Sequence, residues 1–175
     1  SHEIRTPLNG VLGVIQLVQR SQLTEDQQRW LGIARDSGQL LLTLLNDLLD
    51  LSKIEADRME IERTDFELRK LVSGAVGPLS IEATGKGLGW QLEVDPAVPG
   101  WVLGDPVRLR QVLLNLAGNA VKFTGSGEIG IRVSATPLPE GDHELLFEIR
   151  DTGIGMSEQQ LARVFAPFSQ GDPSV

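Results

Sequence analysis

The leucine-rich segment from residue 25 to residue 53 places the strongest constraint on how this chain can fold. Its apolar side chains recur at spacings of three and four residues, which predicts an α-helix from Glu25 to Lys53. Thr24 is the expected N-cap residue, and Gln27 three residues later would complete a capping box. The main apolar stripe comprises Leu31, Ala34, Leu41, Leu45 and Leu48, and it is widened by Leu40, Leu42, Leu44, Leu49 and Leu51. An apolar surface this wide exceeds what one partner helix can cover.

The preceding segment has the same helical period, with a stripe formed by Ile4, Leu8, Val11, Ile15 and Val18. We predict a first helix that ends near Arg20 and pairs with the second helix as an antiparallel hairpin over residues 1–55. A hairpin of this size cannot bury so much leucine by itself. A two-fold homodimer that forms a four-helix bundle would bury it. The alternative is that the hairpin docks onto the rest of the chain.

Composition and charge exclude several classes of function. The 175 residues carry a formal net charge of −8 at pH 7, which argues against nucleic acid or an anionic membrane as the main partner. Cysteine is absent, which excludes disulfides and cysteine nucleophiles, and two histidines are too few for a histidine-rich metal site. No apolar run reaches the roughly 18 residues needed to span a bilayer. Because no initiator Met precedes His2, we expect the chain to be part of a longer protein.

The remainder alternates between helical and strand-like patterns, and we place the start of a second domain at residue 56, where the leucine stripe ends. Helices are predicted over Phe66–Thr84 and Asp105–Thr124, the second with Asp105 as N-cap and Pro106 at its first position. Strands are predicted at Met59–Ile61, Trp90–Val94, Glu128–Ala135 and Glu144–Arg150, with a loop from Pro96 to Gly100. The expected fold is therefore multi-domain: an all-α antiparallel helical hairpin followed by an α+β domain.

The helix predicted over residues 105–124 carries a polar stripe of Arg108, Gln111, Asn115, Asn119 and Lys122 beside an apolar stripe of Leu109, Leu113, Leu116, Ala120 and Phe123. Such a stripe is usually only a solvated face, but asparagine is a poor helix former and an unusual choice for one. An amide oxygen suits Mg²⁺, which takes most of its other ligands from phosphates and water. A lysine one turn further can neutralise phosphate charge. Asn119 is therefore a candidate metal ligand, and Lys122 is a candidate phosphate contact.

A second candidate site follows the last predicted strand, at Asp151-Thr152-Gly153-Ile154-Gly155. By alternation, Asp151 shares the apolar face of that strand, where an unpaired carboxylate would be costly to bury. The exocyclic amine of a flat base would supply the donor it needs, and the glycines would let the backbone approach the base closely. Asp-Thr-Gly also occurs in aspartic proteases. The protease interpretation fails because a helix-like segment, Ser157–Phe165, follows where a protease would continue as strand.

A lone surface histidine such as His2 is usually only a solvated side chain. Here, however, the string Ser-His-Glu-Ile-Arg-Thr-Pro-Leu-Asn-Gly over residues 1–10 resembles the phosphoacceptor box of sensor histidine kinases. Three further boxes of that family follow in order: an asparagine box at residues 115–124, a glycine box at 151–156 and a phenylalanine box at 165–170. Four motifs in the family's order are far more specific than any one of them.

The resemblance covers essentially the whole chain and implies a bacterial sensor histidine kinase core of the two-component type. The sequence around the motifs is similar to that of the hybrid kinases. It implies a dimerisation and phosphotransfer hairpin over residues 1–55 and an ATP-binding α+β two-layer sandwich over residues 56–175. ATP and Mg²⁺ are the implied cofactors. The implied binding residues are Asn115, Asn119, Lys122, Asp151, Gly153, Gly155, Phe165 and Phe168, with Asn119 as the metal ligand.

The activity that the resemblance implies is autophosphorylation of His2, followed by transfer to an aspartate of a response-regulator receiver domain, in the same chain or a separate one. A free histidine has a pKa near 6.5, so neutral imidazole is available as the nucleophile, and Glu3 is implied to accept the ring proton. Thr6 suggests a phosphatase activity toward the regulator. Asn115 stands where related ATPases place a catalytic Glu, which fits transfer to histidine rather than to water.

One departure from the family concerns the nucleotide lid. The family's second glycine box, which closes that lid, is not found before Val175. An alternative interpretation is therefore a catalytically silent, kinase-like scaffold that dimerises and binds partners, and a stand-alone ATPase of the gyrase type is a third. The resemblance also implies the cytoplasmic portion of a membrane-anchored bacterial sensor.

Overall fold

The structure, a computed structural model, describes the chain from residue 2 to residue 164, apart from the side chains of His2, Glu3 and Glu140. It divides into two compact units between Glu60 and Ile61. Within the described residues, none of the helices has the length and apolar character needed to cross a membrane. The assignment of residues 1–55 and 56–175 to two functional domains stays a prediction.

The first unit is a helical hairpin, as predicted. It consists of α1 (His2–Val18) and α2 (Glu25–Glu55). The predicted capping box is confirmed: the Thr24 hydroxyl accepts from the Gln27 backbone N–H at 3.3 Å, and the Thr24 N–H donates to the Gln27 side chain at 3.0 Å. These bonds satisfy donors that the start of a helix leaves without intrahelical partners.

Two contacts show that α1 and α2 pack antiparallel. Near the start of α1, Arg5 Nη2 donates to Asn46 Oδ1 at 2.9 Å, late in α2. Further along α1, the Leu12 side chain lies so close to Gly38 that a Cβ at Gly38 would approach Leu12 Cδ2 to 2.8 Å. Leu12 and Leu42 are the buried apolar residues of the hairpin.

The predicted apolar stripes of the hairpin divide into two faces. Leu8, Ile15, Leu31 and Leu45 are partly buried, whereas Ile4, Val11, Val18, Ala34, Leu41 and Leu48 are exposed. A pair of helices covers only one narrow arc of each helix, so the rest of a wide stripe stays uncovered within one chain. The exposed positions on each helix recur every seven residues, the spacing of a helix–helix seam.

The second unit contains two small sheets and two long helices. Its elements are β1 (Thr64–Glu67), α3 (Leu68–Gly85), β2 (Gly89–Val94), β3 (Trp101–Gly104), α4 (Pro106–Phe123), β4 (Glu128–Pro137), β5 (His143–Asp151) and the short α5 (Glu158–Leu161), with a 3₁₀ turn at Pro139–Gly141. β1 pairs antiparallel with β3, and β4 pairs parallel with β2 and antiparallel with β5.

Helices α3 and α4 cover one face of the β2-β4-β5 sheet, which confirms the predicted layered α+β architecture. The main core contains Leu68, Val72 and Val76 from α3, Leu113 and Ala117 from α4, and Ile131 and Val133 from β4. Alternation along β4 explains the pattern, because every second side chain points to the helices and is buried.

One strand prediction was wrong, and one strand was missed. Met59–Ile61 forms no strand, and β1 instead lies at Thr64–Glu67, where Phe66 pairs with Val102 and packs against the core. β3 (Trp101–Gly104) was not predicted at all. Each of these four-residue strands exists because it pairs with the other, and a pairing between segments so far apart in the chain leaves no local pattern.

Candidate functional site

The start of α4 is fixed by Asp105, the predicted N-cap. Its Oδ1 accepts from the backbone N–H groups of Val107 and Arg108, each at 3.0 Å, and its Oδ2 accepts from the Glu62 N–H at 3.2 Å. These donors, with the Arg108 N–H contributing most, hold the pKa of Asp105 below its ordinary value of 3.8, while partial loss of solvent acts in the opposite direction. The cap therefore ties the segment before β1 to the helix that carries the polar stripe.

The two sides of α4 differ in exposure. The buried residues are Leu113, Ala117, Ala120 and Val121, whereas Asn115, Asn119 and Lys122 of the predicted polar stripe are exposed. Leu116 and Phe123, predicted to lie on the apolar stripe, are also exposed. The buried arc is centred on Leu113 and Ala117, so residues on the far edge of the predicted stripe lie outside it. The Lys122 ammonium lies 5.0 Å from the centroid of the Phe123 ring, within reach of a cation–π interaction.

Asp151 is the last residue of β5 and pairs with the buried Ile129. The expectation that its carboxylate is buried was wrong: Asp151 is exposed because the strand ends there. Its Oδ1 accepts from the Gly153 N–H at 2.9 Å. The carboxylate is thus oriented by the loop that follows it and open to a ligand from solvent.

The glycine loop after β5 contacts the last residue of α4. The Ile154 N–H donates to the Phe123 carbonyl at 3.3 Å. Gly153 lies directly against that carbonyl, and a Cβ there would overlap the Phe123 oxygen. Gly155 has a φ of +66°, a conformation that glycine adopts at little cost. Glycine at these two positions is what allows the loop to reach the end of the helix.

Thr152 fastens the other side of the loop to β4. Its hydroxyl accepts from the Glu128 N–H at 3.0 Å and lies 3.4 Å from the Ser126 carbonyl. The Asp151 carboxylate and the glycine loop are therefore fixed to both α4 and β4.

The structure thus brings together the end of α4, with Asn119 and Lys122, and the loop that begins at Asp151. An exposed amide, ammonium and carboxylate on these two connected segments are groups that can bind phosphates and a hydrogen-bonding base. Among residues 2–164, no group of three or more His, Cys, Asp or Glu side chains is placed to hold a metal ion.

Each of the two units matches a known protein family. Residues 1–57 match the His Kinase A (phospho-acceptor) domain, and residues 104–174 match the family of histidine kinase-, DNA gyrase B- and HSP90-like ATPases. The chain belongs to the sensor histidine kinases. The second matched family is one of ATPases, which supports ATP binding by the second unit.

Individual relatives agree with this assignment over the whole chain. The sequence is 42% identical to the signal transduction histidine-protein kinase BarA of Escherichia coli K12 and to hybrid signal transduction histidine kinase B of Dictyostelium discoideum, over 100% and 98% of this chain. It spans only 19% and 9% of those relatives' lengths. The crystal structure of full-length ShkA in complex with AMPPNP matches 97% of this chain and 35% of ShkA, with 38% identity and a TM-score of 0.74.

Several of the histidine kinase residues expected from the sequence belong to the other unit, to an earlier turn of α4, or to the part of the chain outside the described residues. His2, Glu3 and the exposed Thr6 lie in the first turns of α1, in the other unit, with Pro7 inside the same helix. Asn115 lies one turn before Asn119 on the exposed face of α4. Phe165 and Phe168 lie outside the described residues.

Two residues near the C-terminal end of α4 were not anticipated. Thr124 is 3% exposed at the C-terminal end of α4, and its buried hydroxyl has no hydrogen-bond partner within residues 2–164. Lys86, in the turn after α3, donates to the Val121 carbonyl of α4 at 3.3 Å. Neither residue stands out in the sequence, because the burial of Thr124 and the contact of Lys86 with Val121 depend on how α3, α4 and the sheet pack.

Proposed function

We propose that this chain is the core of an ATP-dependent protein-histidine autokinase of a two-component system. In this proposal, His2 takes the γ-phosphoryl group of ATP and passes it to an aspartate of a response-regulator receiver domain. The observation that carries the proposal is the joining of α4 to the glycine loop through Phe123, which supports a shared site for Asn119, Lys122 and Asp151. The match of residues 1–57 to a phosphoacceptor domain supports the choice of His2.

The proposed chemistry uses neutral imidazole as the nucleophile. One ring nitrogen of His2 attacks the γ-phosphorus, the bond to the β-phosphate oxygen breaks, and ADP leaves. Glu3, the next residue along, accepts the proton from the other ring nitrogen, which would otherwise leave the product positively charged. At cellular pH a free histidine is mainly neutral, so the nucleophile needs no unusual activation.

In the proposed nucleotide site, each exposed group contacts a different part of MgATP. Asp151, already oriented by the Gly153 N–H, accepts from the exocyclic amine of adenine. Lys122 would neutralise phosphate charge, and the amide oxygen of Asn119 would coordinate Mg²⁺. Asn115 lies one turn earlier, as an amide where an ATPase would need a carboxylate base. Phe165 and Phe168 are proposed to line the same site.

A homodimer is proposed for the hairpin unit. Ile4, Val11 and Val18 on α1, and Ala34, Leu41 and Leu48 on α2, are exposed at heptad spacing. Leu41 and Leu48 alone are 53% and 47% exposed, which is costly for apolar side chains in water. A second copy that contributes the same two faces would form a four-helix bundle around them.

The same family supports three further proposals about the whole protein. The receiver domain lies in the same chain or a separate one, and a relative named as a hybrid kinase favours the first arrangement. Thr6, one turn after His2, is proposed to support phosphatase activity toward the regulator. The chain is proposed to be the cytoplasmic part of a membrane-anchored sensor.

ADP release tests the proposed function, measured on the full-length protein with the acceptor aspartate of any receiver domain in the same chain replaced by alanine. An autokinase mixed with excess MgATP should release a burst of no more than one ADP per chain and then stop, because His2 is consumed. Addition of its receiver domain should restart ADP release. Continuous release without a receiver would indicate a free ATPase, and ATP binding without any release would indicate a silent scaffold; either result would contradict the proposal.

A further inference from the structure

The C-terminal end of α4 is held by a lysine from a different helix. An α-helix leaves its last carbonyls without intrahelical donors. At the end of α4, the Ala120 carbonyl accepts from the Thr124 N–H at 3.1 Å and the Phe123 carbonyl accepts from the Ile154 N–H. The Val121 carbonyl accepts from Lys86 Nζ at 3.3 Å. Of these three bonds, only the last comes from a charged side chain.

Lys86 is itself held in place from two sides. It is the C-cap residue of α3, where its backbone N–H bonds to the Glu82 and Ala83 carbonyls at 3.1 Å. Its ammonium also pairs with Glu82 Oε1 at 2.9 Å, one turn earlier. The Lys86 side chain thus bridges α3 and α4.

The contact with Val121 falls where it can affect the nucleotide site. Val121 is buried in a cluster with Ala83, Ala120 and Ile129, so its carbonyl cannot move freely. Lys122 follows it directly, and Asn119 lies two residues before it. A cation at this end of α4 also interacts favourably with the helix dipole.

We propose that Lys86 is a positioning residue for the nucleotide site. Through the Val121 carbonyl it sets the position of the last turn of α4, and so places Asn119 and Lys122 relative to the Asp151 loop. The inference rests on the proposed function, because it assumes that this turn binds MgATP. Lys86 is not assigned any contact with the nucleotide.

Substitution of Lys86 with methionine, in the full-length protein, tests the proposal. We expect Lys86→Met to raise the KM for ATP by roughly three- to tenfold, as for the loss of one half-exposed hydrogen bond from a charged donor. The rate constant of autophosphorylation at saturating ATP should stay unchanged, because the last turn of α4 binds the nucleotide before and during transfer. Lys86→Arg, which can still donate to the carbonyl, should restore the KM.

A matched control separates the contact from the charge. Lys70 is an exposed lysine in the first turn of the same helix, so Lys70→Met removes the same charge without touching α4. It should leave the KM at the wild-type value. An equal rise in both methionine variants, or no rise in Lys86→Met, would overturn the inference while leaving the autokinase proposal intact.

The nucleotide-free protein offers a direct measure of the contact. A hydrogen bond to the Val121 carbonyl polarises the peptide group that it shares with the Lys122 N–H. We expect the ¹⁵N resonance of Lys122 to shift in Lys86→Met but not in Lys70→Met. An unchanged resonance would contradict the positioning role whether or not the protein binds ATP. Wild-type protein that fails to bind MgATP would contradict the proposed function itself.

Discussion

The amide nitrogen of Ile154 donates to the carbonyl oxygen of Phe123 at 3.3 Å, and this bond joins the loop after β5 to the last residue of α4. Two segments separated by a whole β-hairpin are thereby brought into contact. Gly153 makes the approach possible, because any side chain there would overlap the same carbonyl.

Gly153→Ala should therefore weaken nucleotide binding strongly. The new Cβ would collide with backbone rather than with a movable side chain, and overpacking of this kind costs about 1–3 kcal/mol. Calorimetric titration with MgATP should show a loss of affinity of roughly tenfold or more. Gly125→Ala is the control, since a Cβ at Gly125 has open space around it. Equal affinities of the two variants would contradict the close contact.

Asn119 and Lys122 should differ in how they depend on Mg²⁺. If Asn119 is a metal ligand, Asn119→Ala should abolish the gain in ATP affinity that Mg²⁺ produces but leave metal-free binding intact. Lys122→Met should lower ATP affinity with and without Mg²⁺, because it removes charge that faces the phosphates. Titrations in Mg²⁺ and in a chelator distinguish the two. If ATP affinity depended on Mg²⁺ in the same way in both variants, the proposal that Asn119 is a metal ligand would be contradicted.

Asp105 should make the stability of the second unit depend on pH. Its pKa is lowered in the folded state by the N–H donors of Arg108, Glu62 and Val107, so the carboxylate favours folding above its ordinary pKa of 3.8. That contribution disappears as the pH falls through the lower, folded value. Asp105→Asn keeps an oxygen acceptor but not the charge. The melting temperature of this variant should fall below that of wild type at pH 7 and approach it near pH 3.

Asp65→Asn provides the control for that comparison. Asp65 is an exposed carboxylate on β1 and is not a helix cap. Asp65→Asn should therefore leave the melting temperature unchanged at both pH values. A constant gap between wild type and Asp105→Asn across this pH range would show that the charge at the cap is irrelevant.

Substitutions at two adjacent leucines of α2 should affect hairpin stability and dimerisation separately. Leu42 is 8% exposed within one chain, so Leu42→Ala should lower the free energy of unfolding by about 2–5 kcal/mol. Leu41 is exposed in the chain and proposed to lie in the dimer interface, so Leu41→Glu should shift the protein toward monomer in sedimentation experiments. A dimer that tolerates Leu41→Glu would place the interface elsewhere.

The sequence predicted local features well and long-range contacts poorly. The Thr24 and Asp105 caps are encoded within a few residues, and both are present as expected. By contrast, β3 depends on pairing with β1, and the approach of Gly153 to Phe123 depends on where α4 ends relative to β5. Leu116 and Phe123 have an apolar period but lie at the edge of the buried arc, where packing rather than period determines exposure.

Autophosphorylation of the full-length protein with γ-labelled ATP and Mg²⁺, with the acceptor aspartate of any receiver domain in the same chain replaced by alanine, tests the central claim most directly. His2→Gln serves as the comparison, after a titration has shown that it binds MgATP as well as wild type. Wild-type protein should take up label that is lost in acid and survives alkali, as a phosphorylated imidazole nitrogen requires, and His2→Gln should take up none. Acid-stable label, or equal labelling of His2→Gln, would contradict the account.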